Sequence, residues 1–220
     1  MKYPDEFITL LDLMKHYNKP WFVAGGWTID LDVNDITRNH KDMDICIFRE
    51  DTRYAIEYFS DWDIHVAIPG EHRLEKVIHI NDTIFPRYCL HLFRKQEFIE
   101  LLLTDRYEDK VIFRKNNQIK MSLKDFYKKF GKIPYVNPAW QLLFKGLSTR
   151  TEDEHDFEIY MSRTNDIRSK LWLLQSLKEM NGNKRWVEKL SKQFEEGGGS
   201  YNLYSRSGLS PFGCQMYNQE

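Results

Sequence analysis

The feature that most narrows what this chain can become is an acidic pair, Asp42 and Asp44, at the head of the apolar run Ile45-Cys46-Ile47-Phe48. It follows an earlier apolar run, Trp21-Phe22-Val23-Ala24, that closes on Gly25-Gly26. Side chains at i and i+2 of a strand point to one face, with their Cβ atoms roughly 6–7 Å apart. A strand over 43–48 therefore puts Met43, Ile45 and Ile47 on one face and Asp44 and Cys46 on the other, with Asp42 beside Asp44. Two carboxylates held together repel unless water screens them or a cation bridges them. Their oxygens can converge on Mg²⁺, with phosphate oxygens completing its octahedron. A Gly-Gly turn after a buried strand lets backbone N–H groups approach phosphate with no Cβ in the way. An Asp-x-Asp pair or a glycine turn alone arises often by chance. The order strand, Gly-Gly, helix, loop, Asp-x-Asp, strand is far more specific.

Periodicity supplies the surroundings. Phe7, Ile8, Leu10, Leu11 and Met14 fall at helical spacing within 5–17, and Asn18-Lys19-Pro20 ends that helix. A helix can begin at Trp27, and another covers 51–59. Strand patterns occupy 62–68, 76–80, 89–94, 98–103, 110–114 and 118–121. From Pro138 the pattern becomes helical, over 140–148, 154–161, 167–180 and 185–194. The expectation is an α+β fold: a mixed α/β domain over 1–136 and a small helical domain over 137–195. The polar stretch 196–220, with Gly197-Gly198-Gly199-Ser200, reads as a flexible tail or an expression remnant.

Charge separates the candidate functions. The net charge of −1 argues against a protein that coats nucleic acid or a membrane surface. Its distribution is uneven. Between 28 and 51, Asp30, Asp32, Asp35, Asp42, Asp44, Glu50 and Asp51 outnumber Arg38, Lys41 and Arg49, whereas Asp125 is the single acid between Lys110 and Arg150. An acidic segment facing a basic one suits a metal–triphosphate ligand, although two ordinary solvated faces would look the same. Cys46, Cys89 and Cys214 show no metal-ligand spacing, and Cys46 reads as a small core residue. With no signal peptide and no long apolar run, the chain is expected to be cytoplasmic.

These motifs carry a resemblance. Gly25-Gly26-Trp27-x-x-Asp30, then Thr37-Arg38-x-His40-x-Asp42-x-Asp44-Ile45, is similar to the signature of antibiotic nucleotidyltransferases of the DNA polymerase β superfamily. The group it resembles is the aminoglycoside 2″-adenylyltransferase-like family, with the lincosamide nucleotidyltransferases as near relatives. Ile133-Pro134-Tyr135-Val136-Asn137-Pro138, Gln141 to Lys145 and Asp153-Glu154-x-Asp156-Phe157 resemble that family's second block. Trp172-Leu173 and Trp186-x-x-x-Leu190 are similar to its last helices. The chain departs from the pattern at Ala139, where the family usually has Glu, and at Glu100, where many relatives have Asp.

The resemblance implies transfer of a nucleoside monophosphate, AMP from ATP, to a hydroxyl of a small molecule such as an aminoglycoside or lincosamide. Two Mg²⁺ ions would be held by Asp42, Asp44 and Glu100, with Glu100 ligating or accepting the hydroxyl proton and Asp105 competing for its place. Gly25, Gly26, Thr37 and Arg38 are the expected nucleotide contacts. Asp30 and His40 are expected to shape the loop. Lys145, on an apolar helix, needs an anion if buried and suits a triphosphate, unless it reaches the surface. Asp153 and Asp156, a helical i, i+3 pair, suit either a cationic acceptor or the capping of their own helix. Transfer to a protein or an RNA end, and a non-catalytic nucleotide-binding or toxin–antitoxin partner, are the competing classes. The oligomeric state stays open.

Overall fold

The computed structural model describes residues 5–196. Of the tail expected over 196–220, residues 197–220, with Cys214, lie outside the described residues. The helices are α1 (Asp5–Leu13), α2 (Trp27–Val33), α3 (Thr52–Tyr58), α4 (Leu123–Phe126), α5 (Pro138–Lys145), α6 (Thr151–Arg163), α7 (Ile167–Glu179) and α8 (Lys184–Glu196). The strands are β1 (Trp21–Val23), β2 (Asp44–Phe48), β3 (Asp63–Ile68), β4 (Arg73–Lys76) and β5 (Cys89–Arg94). They continue with β6 (Glu97–Tyr107), β7 (Lys110–Ile112), β8 (Lys120–Ser122), β9 (Tyr127–Phe130) and β10 (Ile133–Val136).

Eight strands run in the order β4-β3-β5-β6-β2-β1-β10-β9, and β7 and β8 extend the far end of β6. The connection that matters is β2 beside β6, parallel, with Asp44 opposite Glu100 and Ile45 opposite Leu101. Strand alternation then sorts the two faces. Val23, Ile45, Ile47, Leu90, Leu92, Leu101 and Leu103 pack against Phe7 and Leu10 of α1, Met14 just beyond it and Ala55 of α3. Phe22, Cys46, Phe48 and Val136 face the C-terminal helices, meeting Trp140, Leu142, Phe157, Leu173 and Trp186. On that second face Phe126 and Trp140 meet edge-on at 5.2 Å, and Phe157 stacks on Trp186 at 4.2 Å. Truncating a buried aromatic costs about 3–5 kcal/mol, so these contacts bind the helices firmly to the sheet. The change from strands to helices falls at Asn137, whose side chain caps α5 through the Ala139 N–H. One hydrophobic cluster nevertheless runs across that point.

Three local differences from the sequence pattern have physical causes. The strand expected at 76–80 is displaced: β4 ends at Lys76 and a short 3₁₀ turn occupies Ile80–Thr83. Asp82 accepts from the backbone N–H groups of Ile78 and His79 at 2.9 and 2.8 Å, which takes those donors out of a ladder. The hairpin β9–β10 was hidden by Lys128 and Lys129, which look like solvated loop. Lys128 instead bridges Asp32 and Asp166 at 2.8 and 2.9 Å. Finally, β2 starts at Asp44 instead of Met43, and Asp42 stands exposed two residues before the strand.

Candidate active site

The parallel pairing of β2 with β6 sets two carboxyls side by side, because register partners on neighbouring strands share a face. Asp44 and Glu100 are cross-strand partners in this register, so their carboxyls repel when both are charged. Burial, then the Glu100 charge and hydrogen bond, then Asp42, push the Asp44 carboxyl up to about 7. Burial and the Asp42 charge raise Glu100 as well, while hydrogen bonds from Asp44 and Cys89 pull it back. The hard oxygen donors of this cluster are the set that suits Mg²⁺, whose charge would relieve the repulsion.

The glycine turn is shaped by these side chains. Gly25 has φ +64°, and a Cβ there would sit 1.9 Å from Asp44 Oδ2. A Cβ on Gly26 would sit 2.0 Å from Arg38 Nη2. The glycines thus make room for Asp44 and Arg38 to lie against the backbone. Gly25→Ala is expected to cost about 1–2 kcal/mol for the left-handed backbone alone and to expel the Asp44 carboxylate. Transfer should be lost while far-ultraviolet circular dichroism stays native. Undiminished activity in that variant would show that Asp44 need not lie on the turn.

The loop bearing Arg38 and Asp42 is pinned from below. Buried Asp30 accepts from the Thr37 N–H at 3.1 Å and the Thr37 hydroxyl at 2.6 Å, and meets His40 Nε2 at 2.7 Å. His40 stacks on Trp27 with ring centroids 4.0 Å apart. Thr37 therefore has its hydroxyl turned to Asp30, not outward to a nucleotide.

Arg38 donates to Asp156 through Nε and Nη2 at 2.7 and 2.9 Å. Lys145 donates to Asp153 and Asp156 at 2.6 and 2.9 Å, and Arg150 closes the chain on Asp153. Asp153 and Asp156 are 1% and 0% exposed. Their charges meet internal cations, which favours a structural role over a grip on a cationic acceptor. Asp153 also accepts from the Arg150 N–H, the capping role foreseen as its alternative. Lys145 has found its anion inside the protein, although its charge still reaches Asp44 and lowers that carboxyl.

Asp105 lies on the face of β6 opposite Glu100 and is held by Arg49 Nε at 2.6 Å. Arg49 also donates to the Thr83 and Arg87 carbonyls, so Asp105 anchors a loop away from the cluster. Glu100 is the carboxylate that the pairing delivers to Asp44.

Three neighbours escaped the sequence reading. Cys89 and His91 lie on the Glu100 face of β5, with His91 opposite Glu100 in register. Arg114 stacks 3.3 Å over the Tyr88 ring, makes no ion pair with any described residue, and its charge reaches Cys89. The alternation of Cys89 and His91 within 89–94 was visible, but its placement against 98–103 was not.

A sheet carrying an Asp/Glu cluster behind a Gly-Gly turn, backed by helices, is the arrangement expected of a nucleotidyltransferase-type site. Comparison with known proteins narrows this. The model of the aminoglycoside-2″-adenylyltransferase family matches residues 6–69. A lincosamide resistance protein of Staphylococcus haemolyticus is 21% identical over 150 residues, spanning 68% of this chain and 88% of that protein. The crystal structure of the lincosamide antibiotic adenylyltransferase LnuA, lincomycin-bound, aligns with a TM-score of 0.52 at 20% identity, over 74% of this chain and 98% of that one. ANT(2″)-Ia in complex with adenylyl-2″-tobramycin aligns with a TM-score of 0.53 at 11% identity, over 80% and 97%. At such identities the structural likeness speaks for the fold. The sequence matches make the chain similar to the aminoglycoside-2″-adenylyltransferase family over residues 6–69 and to a lincosamide resistance protein over 150 residues.

Proposed function

We propose that this protein transfers AMP from ATP to a hydroxyl of a small molecule, with an aminoglycoside or lincosamide as the acceptor class. The observation that carries the reading is the register pair Asp44–Glu100 with Asp42 beside it, a cluster whose buried charge calls for a cation. Asp42, Asp44 and Glu100 are the residues that would hold two Mg²⁺ ions. Bound there, magnesium would neutralise triphosphate charge and acidify the attacking hydroxyl.

The chain's own groups do the rest. Glu100, its pKa raised toward the working range, is suited to receive the hydroxyl proton, since a base works best with its pKa near the operating pH. The acceptor oxygen bonds to the α-phosphorus as the bond to the leaving phosphate oxygen breaks, and pyrophosphate departs. Gly25 and Gly26 hold the turn close behind Asp44, and the pinned loop 37–41 fixes Arg38 and Asp42 in place. Arg38 and Lys145, on the edge of the cluster, and Arg114 on Tyr88 supply positive potential for the triphosphate. The acceptor class follows the relatives, one solved with lincomycin and one with adenylyl-2″-tobramycin. No described helix is long and apolar enough to cross a membrane.

The test is ATP labelled at the α-phosphate, with Mg²⁺, over a panel of aminoglycosides, lincosamides and plain sugars. Label on an antibiotic is the expected result. Label on protein, or none anywhere, overturns the reading. Within the site, Glu100→Gln should bind triphosphate nearly as the parent does and lose about 10²-fold in kcat, the scale for a positioned base. Asp105→Asn should keep kcat. If instead the Asp105 variant loses turnover and the Glu100 variant keeps it, the base has been misassigned.

A further inference from the structure

Beside the carboxylate cluster lies a second set of donors of different chemistry. Cys89 and His91 point to the same side of β5, and Glu100 faces them from β6. His91 Nε2 lies 3.4 Å from Glu100 Oε1, and Cys89 Sγ lies 3.8 Å from Glu100 Oε2. All three donor atoms fall within 4.8 Å of one another. A tetrahedral ion with bonds of about 2.0–2.3 Å has donor-to-donor edges of roughly 3.3–3.8 Å. His91 and Cys89 approach different oxygens of Glu100, so a shared ion would draw the three donors together by about 1–1.5 Å at most from the 4.8 Å within which they already lie. We propose that Cys89, His91 and Glu100 form a site for a borderline-soft divalent cation, Zn²⁺ above all, that blocks the transfer reaction by occupying Glu100.

The donor set selects the ion. Mg²⁺ takes oxygen ligands, whereas thiolate with imidazole favours zinc. The surroundings draw a cation, because the charges of Asp42 and Asp44 act on His91, and those of Glu100 and Asp44 act on Cys89. Water would complete the coordination of an ion held by these three ligands. Cys89 is buried, which shields a metal–sulfur bond from competing thiols. On binding, the Cys89 thiol proton passes to solvent as the sulfur ligates, so the charge balances. The inhibition rests on the proposed transfer activity, whereas the binding does not.

Co²⁺ serves as the spectroscopic probe, added to the full chain without nucleotide. A thiolate-to-cobalt charge-transfer band should appear, resist excess Mg²⁺ and disappear on adding one equivalent of Zn²⁺. Cys89→Ser should abolish the band, and His91→Ala should weaken zinc binding roughly 10-fold or more, at least the usual cost of disturbing a metal's surroundings. Melting curves of both variants establish that they fold. Micromolar-range Zn²⁺ should inhibit parental pyrophosphate release far more than that of Cys89→Ser, each relative to its own rate. No band in the parent, or a band that survives in Cys89→Ser, overturns the site. A band in a protein that transfers nothing supports the site and removes the proposed reaction instead.

Discussion

Asp44→Asn is expected to abolish nucleotidyl transfer and, at the same time, to make the ligand-free protein more stable at alkaline pH. The two effects share one cause. Asp44 stands among Glu100, Asp42 and low-dielectric sheet, and its carboxyl is pushed from 3.8 up to about 7. A carboxyl whose folded pKa exceeds its unfolded value binds its proton more tightly when folded. Its stabilising influence is greatest in acid and is lost as pH rises from about 4 through about 7, beyond which the deficit is constant. Each unit is worth 1.36 kcal/mol, so three units would amount to roughly 4 kcal/mol. The mutual repulsion of Asp44 and Glu100 belongs to the pair, so about 2 kcal/mol is the better expectation for removing one member. For a chain of this size that is a melting temperature higher by roughly 4–8 °C at pH 8 in a chelator. Loss of a metal-bound charge removes several kcal/mol of transition-state stabilisation, about 10³-fold or more in rate. Asp42→Asn, exposed at the mouth of the site, should lose transfer without the same gain in stability. The measurements are melting temperature against pH in chelator and turnover with Mg²⁺. A parental melting temperature that does not fall between about pH 4.5 and 8, or wild-type-like turnover in Asp44→Asn, would refute the account.

Much of this site was legible because strand alternation is a strict rule. The run 43–48 assigned Asp44 and Cys46 to one face and Ile45 and Ile47 to the other, and the structure keeps that division. Glu100, flanked by Ile99 and Leu101, stood out as an acid inside an apolar strand. What alternation cannot give is the neighbour. The pairing of β2 with β6 joins residues more than fifty apart, and only that register decides for Glu100 over Asp105. The same gap hid Cys89 and His91, which acquire meaning once β5 lies against β6. The helical acids stayed ambiguous for another reason. An i, i+3 pair of aspartates reads alike whether it faces solvent, a ligand or buried cations. The apolar setting of Lys145 did announce a need for an anion, but not that the anion would come from α6. Lys128 and Lys129 concealed the last hairpin because a strand lysine held by Asp32 and Asp166 has the sequence signature of a loop.

The internal role of Asp156 leads to the second large effect. Asp156 is completely buried, receives both forks of Arg38 and shares Lys145 with Asp153. It ties the loop of the N-terminal half to α5 and α6, at the boundary between the sheet and the helices. Asp156→Ala leaves Arg38 without its partner and Lys145 with one carboxylate instead of two. Breaking a buried pair by removing one member costs about 3–5 kcal/mol. Lys145 keeps Asp153, and Arg38 is partly exposed at 22%, so the lower end, about 3 kcal/mol, is expected. That corresponds to roughly 6–12 °C in melting temperature. Asp153→Ala should also destabilise, losing the Lys145 contact and an N-terminal cap worth about 1 kcal/mol. Asp156→Asn, which keeps the shape and one good acceptor, should recover part of the loss. The alternative, in which Asp156 grips a cationic antibiotic, makes the opposite forecast: an unchanged melting temperature and a raised KM for aminoglycosides but not for uncharged acceptors. Denaturation curves and acceptor KM values measured on the same three variants separate the two. A stable Asp156→Ala with a selective KM defect would return that residue to the acceptor site.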